Sequence, residues 1–458
     1  MVPAHAASGM ETSVIFGLDP TWVALSIMVI SFALIMTERI NRAIVAMLGA
    51  SMMIFFGILN QHMAVQGVDF NTIALLTGMM VVVGVAKHSG VFQFVAIWAA
   101  QKVRGNPRKL LTVLAIITAV FSALLDNVTT VMLMVPVTLL IAEQLKLKAY
   151  PFLFTQIFAS NIGGMATLIG DPPNILIGSA VNLSFMDFVY NVGPASFVIM
   201  IVTTIFFDVL WGRKMKTSEN AVSHLMEYVA IDAIKDFRLL WQSLFSILVI
   251  LVGFVFGHPM GIEPGTTALA GAALLLLLYT YKLDPEEQSH KVHQSFGDVE
   301  WVTIFFFIGL FVIVYGVETT GFLTLVSHEL MALTEGNMML TGMAIIWASA
   351  IISALVDNIP FVATMIPLIE SMGPSVAEIT GLPPREALMP LWWSLSLGAC
   401  LGGNGSLIGA SANLMVAGIA ERAGQRISFL GFLKLAFPLM ICTVAMASVY
   451  AWLVFFMQ

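Results

Sequence analysis

Two dipeptides break long apolar runs: Asp126-Asn127 in SALLDNVTTVMLMVP and Asp357-Asn358 in SALVDNIPFVATMIP. A carboxylate beside an amide can hold a cation, carry a proton or accept the hydroxyls of a polar substrate. In apolar membrane sequence such groups are costly and mark transport pathways. Downstream of each pair, glycines, prolines and more polar side chains recur. FASNIGGMATLIGDPPN holds Asn161, Thr167, Asp171 and Asn174, and SLGACLGGNGSLIGASAN holds Asn404, Ser406 and Asn413.

The two sets are copies. Val68 and Val299, Asp69 and Glu300, Gly78 and Gly309, Gly90 and Gly321, Asp126 and Asp357, Asn127 and Asn358, and Pro136 and Pro367 are all 231 positions apart. Further on the offset is 239, pairing Gly163-Gly164 with Gly402-Gly403, Gly170 with Gly409 and Asn174 with Asn413. The chain therefore contains an internal duplication. The copies differ at places that matter. Asp171 aligns with Ala410, Met165 with Asn404, Asn161 with Cys400, Thr129 with Pro360 and Thr130 with Phe361, so Asp171 is a carboxylate without a counterpart.

The elements that position these residues are membrane helices. With 59% hydrophobic and 10% charged residues and a mean hydropathy of +0.94, the chain reads as an all-α polytopic membrane protein. Its net charge of −7 says little about partners. Two cysteines make neither a disulfide framework nor a thiolate cage, and the histidines form no ligand-spaced cluster, so no metal site is expected. No nucleophile–base motif points to an enzyme.

Ten spans are predicted over 20–37, 43–59, 70–87, 150–181, 192–211, 239–257, 264–281, 300–317, 387–420 and 431–457. Segments 110–143 and 340–371 each have two apolar arms of about 15 residues meeting at the Asp-Asn pair, the pattern of a re-entrant hairpin with its tip near the midplane. The spans at 150–181 and 387–420 are expected to be broken at their glycines, Gly163-Gly164 and Gly402-Gly403, and to face the hairpin tips. The divisions are an extracytoplasmic tail (1–18, poorly ordered), scaffold spans (19–67), repeat 1 (68–211), a solvated cytoplasmic linker (212–238), linking spans with a loop (239–298) and repeat 2 (299–457). Val91 to Gly105 and Phe322 to Leu333 read as interfacial helices, and Lys87 and Glu318 as groups that snorkel from span ends.

Lysines and arginines fall on one side of this topology, Arg385 excepted, which places both termini outside the cytoplasm. Asp69 and Glu300 then lie on opposite sides, so the repeats are inverted, as in alternating-access transporters. The plainer reading of Asp126 and Asp357 is that each caps the second hairpin arm. Ionised carboxylates at the midplane cost about 2.5–3.5 kcal/mol, and a neutral cap would serve as well. Both are therefore candidate proton carriers, with Asp171. Cys400 reads as a small apolar side chain.

LLDNVTTVMLMVPVT together with ASNIGGMATLIGDPPNILIGS resembles the ion transporter superfamily, in its arsenite-efflux permease (ArsB) and P protein branch. The resemblance runs over roughly 20–457. It implies substrate binding between hairpin tips and helix breaks, at Asn127, Thr129, Asn161, Gly163, Asn174, Asn358, Asn404, Ser406 and Asn413, with Asp126, Asp171 and Asp357 coupling protons. It implies export of arsenite, with antimonite as companion substrate, driven by the proton motive force without a cofactor, across a bacterial-type cytoplasmic (inner) membrane. It also admits a homodimer and a cytoplasmic arsenite-stimulated ATPase subunit as partners, and no nucleic acid. Acidic tips, where the dicarboxylate carriers have Ser-Asn-Thr, argue against di- and tricarboxylates. A sodium/proton antiporter on the same fold would use the same carboxylates, and an ion channel would need no duplicated breaks.

Overall fold

A computed structural model describes Val14, residues 17–37 and residues 39–457. Almost all of the tail expected at 1–18 lies outside the described residues. The chain opens with α1 (Pro20–Thr37), α2 (Arg42–Phe55), α3 (Gln61–Gln66), α4 (Phe70–Lys87) and α5 (Val91–Lys102). A helical hairpin follows, α6 (Pro107–Leu124) and α7 (Asn127–Gln144), then a broken pair, α8 (Tyr150–Met165) and α9 (Pro172–Ala180), then α10 (Phe185–Asn191) and α11 (Gly193–Leu210). After α12 (Glu219–Glu227) come α13 (Phe237–Phe256), α14 (Pro264–Thr280), α15 (Pro285–Gly297), α16 (Trp301–Thr319) and α17 (Phe322–Leu333). The second hairpin is α18 (Met338–Leu355) and α19 (Asn358–Ser371), continued by α20 (Gly373–Thr380). The second broken pair is α21 (Pro384–Gly402) and α22 (Ser411–Arg422), and α23 (Phe429–Ala451) closes the order.

Among the described residues, nine helices are long and apolar enough to cross a membrane, ten if the bent pair α19–α20 is one span. This set includes the hairpin arms and leaves out α2 and α14, which have 14 and 17 residues, and both broken pairs. The arms are longer than the sequence predicts: α6, α7 and α18 have 18 residues each. At 1.5 Å per residue such an arm reaches about 27 Å, almost the depth of the hydrocarbon core.

Equivalent residues take up equivalent backbone. Asn106 caps α6 and Asn337 caps α18, each side chain accepting from the amide three residues on. Arg104-Gly105 and Glu335-Gly336 both have positive φ, +53° and +60° against +52° and +69°. These left-handed pairs end α5 and α17, where glycine avoids the Cβ clash.

The described residues divide into two compact units. The first gathers the described part of Met1–Asp69 with Trp301–Leu330; here Gly309 lies against the Ala46 backbone, seating α16 on α2. Ala24, Ile27, Met53, Ile313 and Val317 form its core. The second comprises Phe70–Glu300 and Met331–Gln458. Within it Gly78, the counterpart of Gly309, lies against the backbone of Ala268, seating α4 on α14. The two contacts match, so Ala46 and Ala268 are equivalent and the duplication reaches back to α1–α2 and α13–α14. Lipid supplies no hydrophobic drive between helices, so these small-residue seams carry the packing.

One expectation is refined here and one corrected. Residues 212–238 are mostly exposed, as a solvated linker is, yet they carry structure of their own. They contain α12 and two 3₁₀ turns, bury Ala221 and Leu225, and bond to their surroundings: Lys235 N donates to Ser89 O at 2.9 Å and Thr217 Oγ1 to Leu145 O at 2.7 Å. Lys87 does not snorkel; its Nζ lies 2.6 Å from Asp298, which also meets His88 at 2.8 Å. Local charge pairing outweighs solvent access at that span end.

Candidate substrate-binding site

The first break is held by its own side chains. α8 runs through Gly163-Gly164 and ends only at Met165. The expectation that these glycines break the span is therefore corrected: they are helical, and they serve close packing. A methyl on Gly163 would strike the Ala119 carbonyl, and one on the equivalent Gly402 would come within 2.6 Å of Ala350, the counterpart of Ala119. Gly163 thus serves as a packing residue of the α6–α8 seam.

Beyond Met165 the chain loops, and every staple recurs in the second repeat. Thr167 Oγ1 donates to Ala123 O at 2.6 Å and accepts from Gly170 N at 3.1 Å. Ser406 Oγ donates to Ala354 O at 2.6 Å and accepts from Gly409 N at 3.2 Å. Asn174 Nδ2 reaches the carbonyls of Met165 (3.0 Å) and Thr167 (2.9 Å), and Asn413 Nδ2 those of Gly403 (2.7 Å) and Ser406 (2.8 Å). In hydrocarbon a freed carbonyl must be satisfied internally, and these asparagines do that. Ser406 and Asn174 therefore shape the breaks. Ser396 supports Asn174 by donating to its Oδ1 at 2.7 Å, with Cys400 Sγ at 3.5 Å.

The hairpin tips meet the breaks through amides. Asp126 accepts from Thr129 N at 2.7 Å and caps α7, and Asp357 accepts from Ile359 N at 3.1 Å and caps α19. The plainer reading of both aspartates is realised in geometry. Asp357 also accepts from Ser411 Oγ at 2.8 Å. Asn127 Nδ2 donates to Asn161 Oδ1 and to Asp171 Oδ1, both at 3.1 Å, and Asn358 Nδ2 approaches Asp171 Oδ1 at 3.5 Å. Asn161 Nδ2 in turn donates to Asn404 Oδ1 (3.1 Å) and Asn413 Oδ1 (3.0 Å). One network thus contains both tips and both breaks.

Asp171 sits at its hub. It precedes Pro172-Pro173, whose nitrogens carry no hydrogen, so its side chain makes no capping bond and is left to face the amides. Asp171, Asn161, Asn174, Asn404 and Asn413 are fully buried. Within this network Asp171 Oδ2, Asn127 Oδ1 and Asn404 Nδ2 have no hydrogen-bond partner, and nearby Thr130 Oγ1 has none either. Most buried polar side-chain atoms are paired, so three orphans in one cluster single out this network as the candidate site for a polar ligand. They offer two acceptors and one donor.

The structure thus brings together Asn127, Asn161, Asp171, Asn358, Asn404 and Asn413, and puts Asp126 and Asp357 at the helix starts beside them. Thr129 contributes its backbone amide to Asp126. Ser411 and Ser396 are contacts the sequence reading missed. Ser411 aligns with Pro172 and Ser396 with Ile157, differences between the repeats that could have exposed both.

A family profile described as CitMHS, citrate transporter, matches residues 32–398. The chain belongs to the CitMHS family. Among its relatives is an uncharacterized transporter of Mycobacterium tuberculosis, 37% identical over 438 residues, covering 95% of this chain and 98% of the relative. An uncharacterized transporter of Synechocystis is 32% identical, covering 96% and 99%. The P protein of Homo sapiens is 32% identical over 93% of this chain and 59% of its own length. Two solved transporters share the fold at low identity: YdaH of Alcanivorax borkumensis (12%, TM-score 0.62, 96% of this chain and 99% of that one) and MtrF of Neisseria gonorrhoeae (13%, TM-score 0.59, 98% and 97%). A CitMHS-type chain with these apolar helices is an integral membrane transporter of the ion transporter superfamily, acting on a small-molecule substrate.

Proposed function

We propose that the chain is a secondary active transporter that exports arsenite, and antimonite with it, from the cytoplasm in exchange for protons across a bacterial cytoplasmic membrane. The observation that carries this reading is the set of orphaned atoms around Asp171. Arsenite at neutral pH is mainly the uncharged triol As(OH)3, and its hydroxyls both donate and accept. They match two free acceptors, Asp171 Oδ2 and Asn127 Oδ1, and one free donor, Asn404 Nδ2. In this reading Asp171 is the carboxylate that carries the proton. Substrate hydroxyls that donate to Asp171 favour the ionised state, so binding releases the proton and the two ligands exchange.

The family description names citrate, which carries up to three negative charges. Segments 110–143, 150–181, 340–371 and 387–420 contain no lysine, arginine or histidine, so the hairpins and breaks offer a polyanion no cationic side chain. A sodium/proton antiporter would use the same carboxylates, but the free amide donor of Asn404 has no use for a cation.

Purified protein in liposomes with an internal pH dye, under clamped potential, tests the reading. Arsenite should drive saturable proton movement, and sodium or citrate should not. A response to sodium alone would replace the substrate with a cation, and a response to citrate alone would return the chain to its family's named substrate.

A further inference from the structure

A cavity of about 480 Å³ lies between α6 and α11, away from the amide network. Small residues make its floor, among them Ala119, Ala123, Gly163 and Ala166, and its rim carries Phe197 and Ile205. The rim is open: Phe197 is 69% exposed, Ile205 57% and Val120 50%. Its one bonded hydroxyl, on Ser196, is spent on the Ile162 carbonyl. The cavity is therefore an apolar groove on a face turned to lipid, and it ends behind the first helix break.

The other end of the same two helices is basic. Arg108 of α6 makes a two-pronged contact with Asp208 of α11, at 2.6 and 2.8 Å, and Arg213 joins at 3.5 Å. Lys109 and Lys214 adjoin them in sequence, both exposed, so two arginines share one carboxylate and positive charge is left over. Asp208 is tucked in (14% exposed) and the two guanidinium groups are open (54% and 59%). Guanidinium donors not spent on Asp208 have the chemistry to take a phosphate diester. From Arg213 to Ile205 is about 12 Å along the helix, and from Arg108 to Ala119 about 17 Å. One leaflet of the hydrocarbon core is about 15 Å deep. A chain that starts at these cations thus ends at the groove floor.

We propose that an anionic phospholipid binds here, its phosphate on Arg108 and Arg213 and one acyl chain in the α6–α11 groove against Ala123 and Gly163. Lysine and arginine placement assigns this end to the cytoplasmic leaflet, where anionic headgroups concentrate.

Native mass spectrometry of the purified protein tests it, with phosphatidylglycerol, phosphatidylcholine of the same chains, and glycerol phosphate as probes. Phosphatidylglycerol should be retained at least tenfold more tightly than phosphatidylcholine, and glycerol phosphate should not be retained. Arg213→Ala with Lys214→Ala should abolish the preference. Thr204→Trp, which fills the groove, should weaken both lipids; Ile205→Trp serves if that variant does not fold. A photoreactive acyl chain should label α6 or α11. Equal retention of the two lipids, a preference that survives the double substitution, binding of glycerol phosphate as tightly as lipid, or labelling confined to other helices would overturn the proposal.

Discussion

Asn127 donates its side-chain amide to Asp171 at 3.1 Å and so ties the tip of the first hairpin to the start of the half-helix α9. Asn358 of the other tip approaches the same oxygen at 3.5 Å. The carboxylate without a counterpart in the duplication is therefore the one that both copies address.

The capping geometry separates the tip aspartates from Asp171. Asparagine caps a helix as well as aspartate does, whereas alanine costs about 1 kcal/mol. Asp126→Asn should keep the melting temperature of wild type and reduce coupled transport less than Asp171→Asn does; Asp126→Ala should be measurably less stable. Thermal unfolding beside liposome flux gives both quantities, and a loss of transport in Asp126→Asn equal to that in Asp171→Asn would make Asp126 a coupling group in its own right.

Gly163 and Gly402 should respond alike. A methyl at either meets helix backbone, of Ala119 or Ala350, and the overpacking should cost about 1–3 kcal/mol. Each single alanine variant should show reduced thermal stability in detergent. Unchanged stability in both would refute the close seam.

Much of this was legible in the sequence, for physical reasons. Asp126, Asp357, Gly90 and Gly321 punctuate the chain, so a constant offset between them exposes the repeat. Ala46 and Ala268 sit in uniform apolar runs, and only the glycines that rest on them, Gly309 and Gly78, show that the duplication reaches so far. A glycine pair reads the same in sequence whether it ends a helix or lets a neighbour approach, which is why Gly163-Gly164 misled. The 212–238 segment reads as a solvated linker and most of it is exposed; the few contacts that pin it depend on partners distant in sequence, such as Ser89 and Leu145.

Gln156 ties α8 to both arms of the first hairpin, donating to Thr118 at 3.2 Å and to Thr138 at 2.9 Å. All three side chains are buried. Gln156→Ala should leave two hydroxyls unpaired and cost about 1–3 kcal/mol. Hydrogen exchange should show faster opening of α6 and α7, with α18 and α19 unaffected; equal exchange in all four would argue against the tie.

Cys400 Sγ lies 3.5 Å from Asn174 Oδ1 and also faces the Asp171 carboxylate. Cys400→Ser keeps a donor there, so arsenite flux should stay within a few-fold of wild type. Complete loss would point to an arsenic–thiolate bond instead.

The most direct test of the account measures protons rather than stability. In weakly buffered solution with a pH dye, arsenite added to purified wild-type protein should release protons as Asp171 ionises on substrate binding. Asp171→Asn should still bind arsenite, detected by isothermal calorimetry, and release none. Undiminished proton release from Asp171→Asn would show that the exchange runs through another group and contradict the central claim.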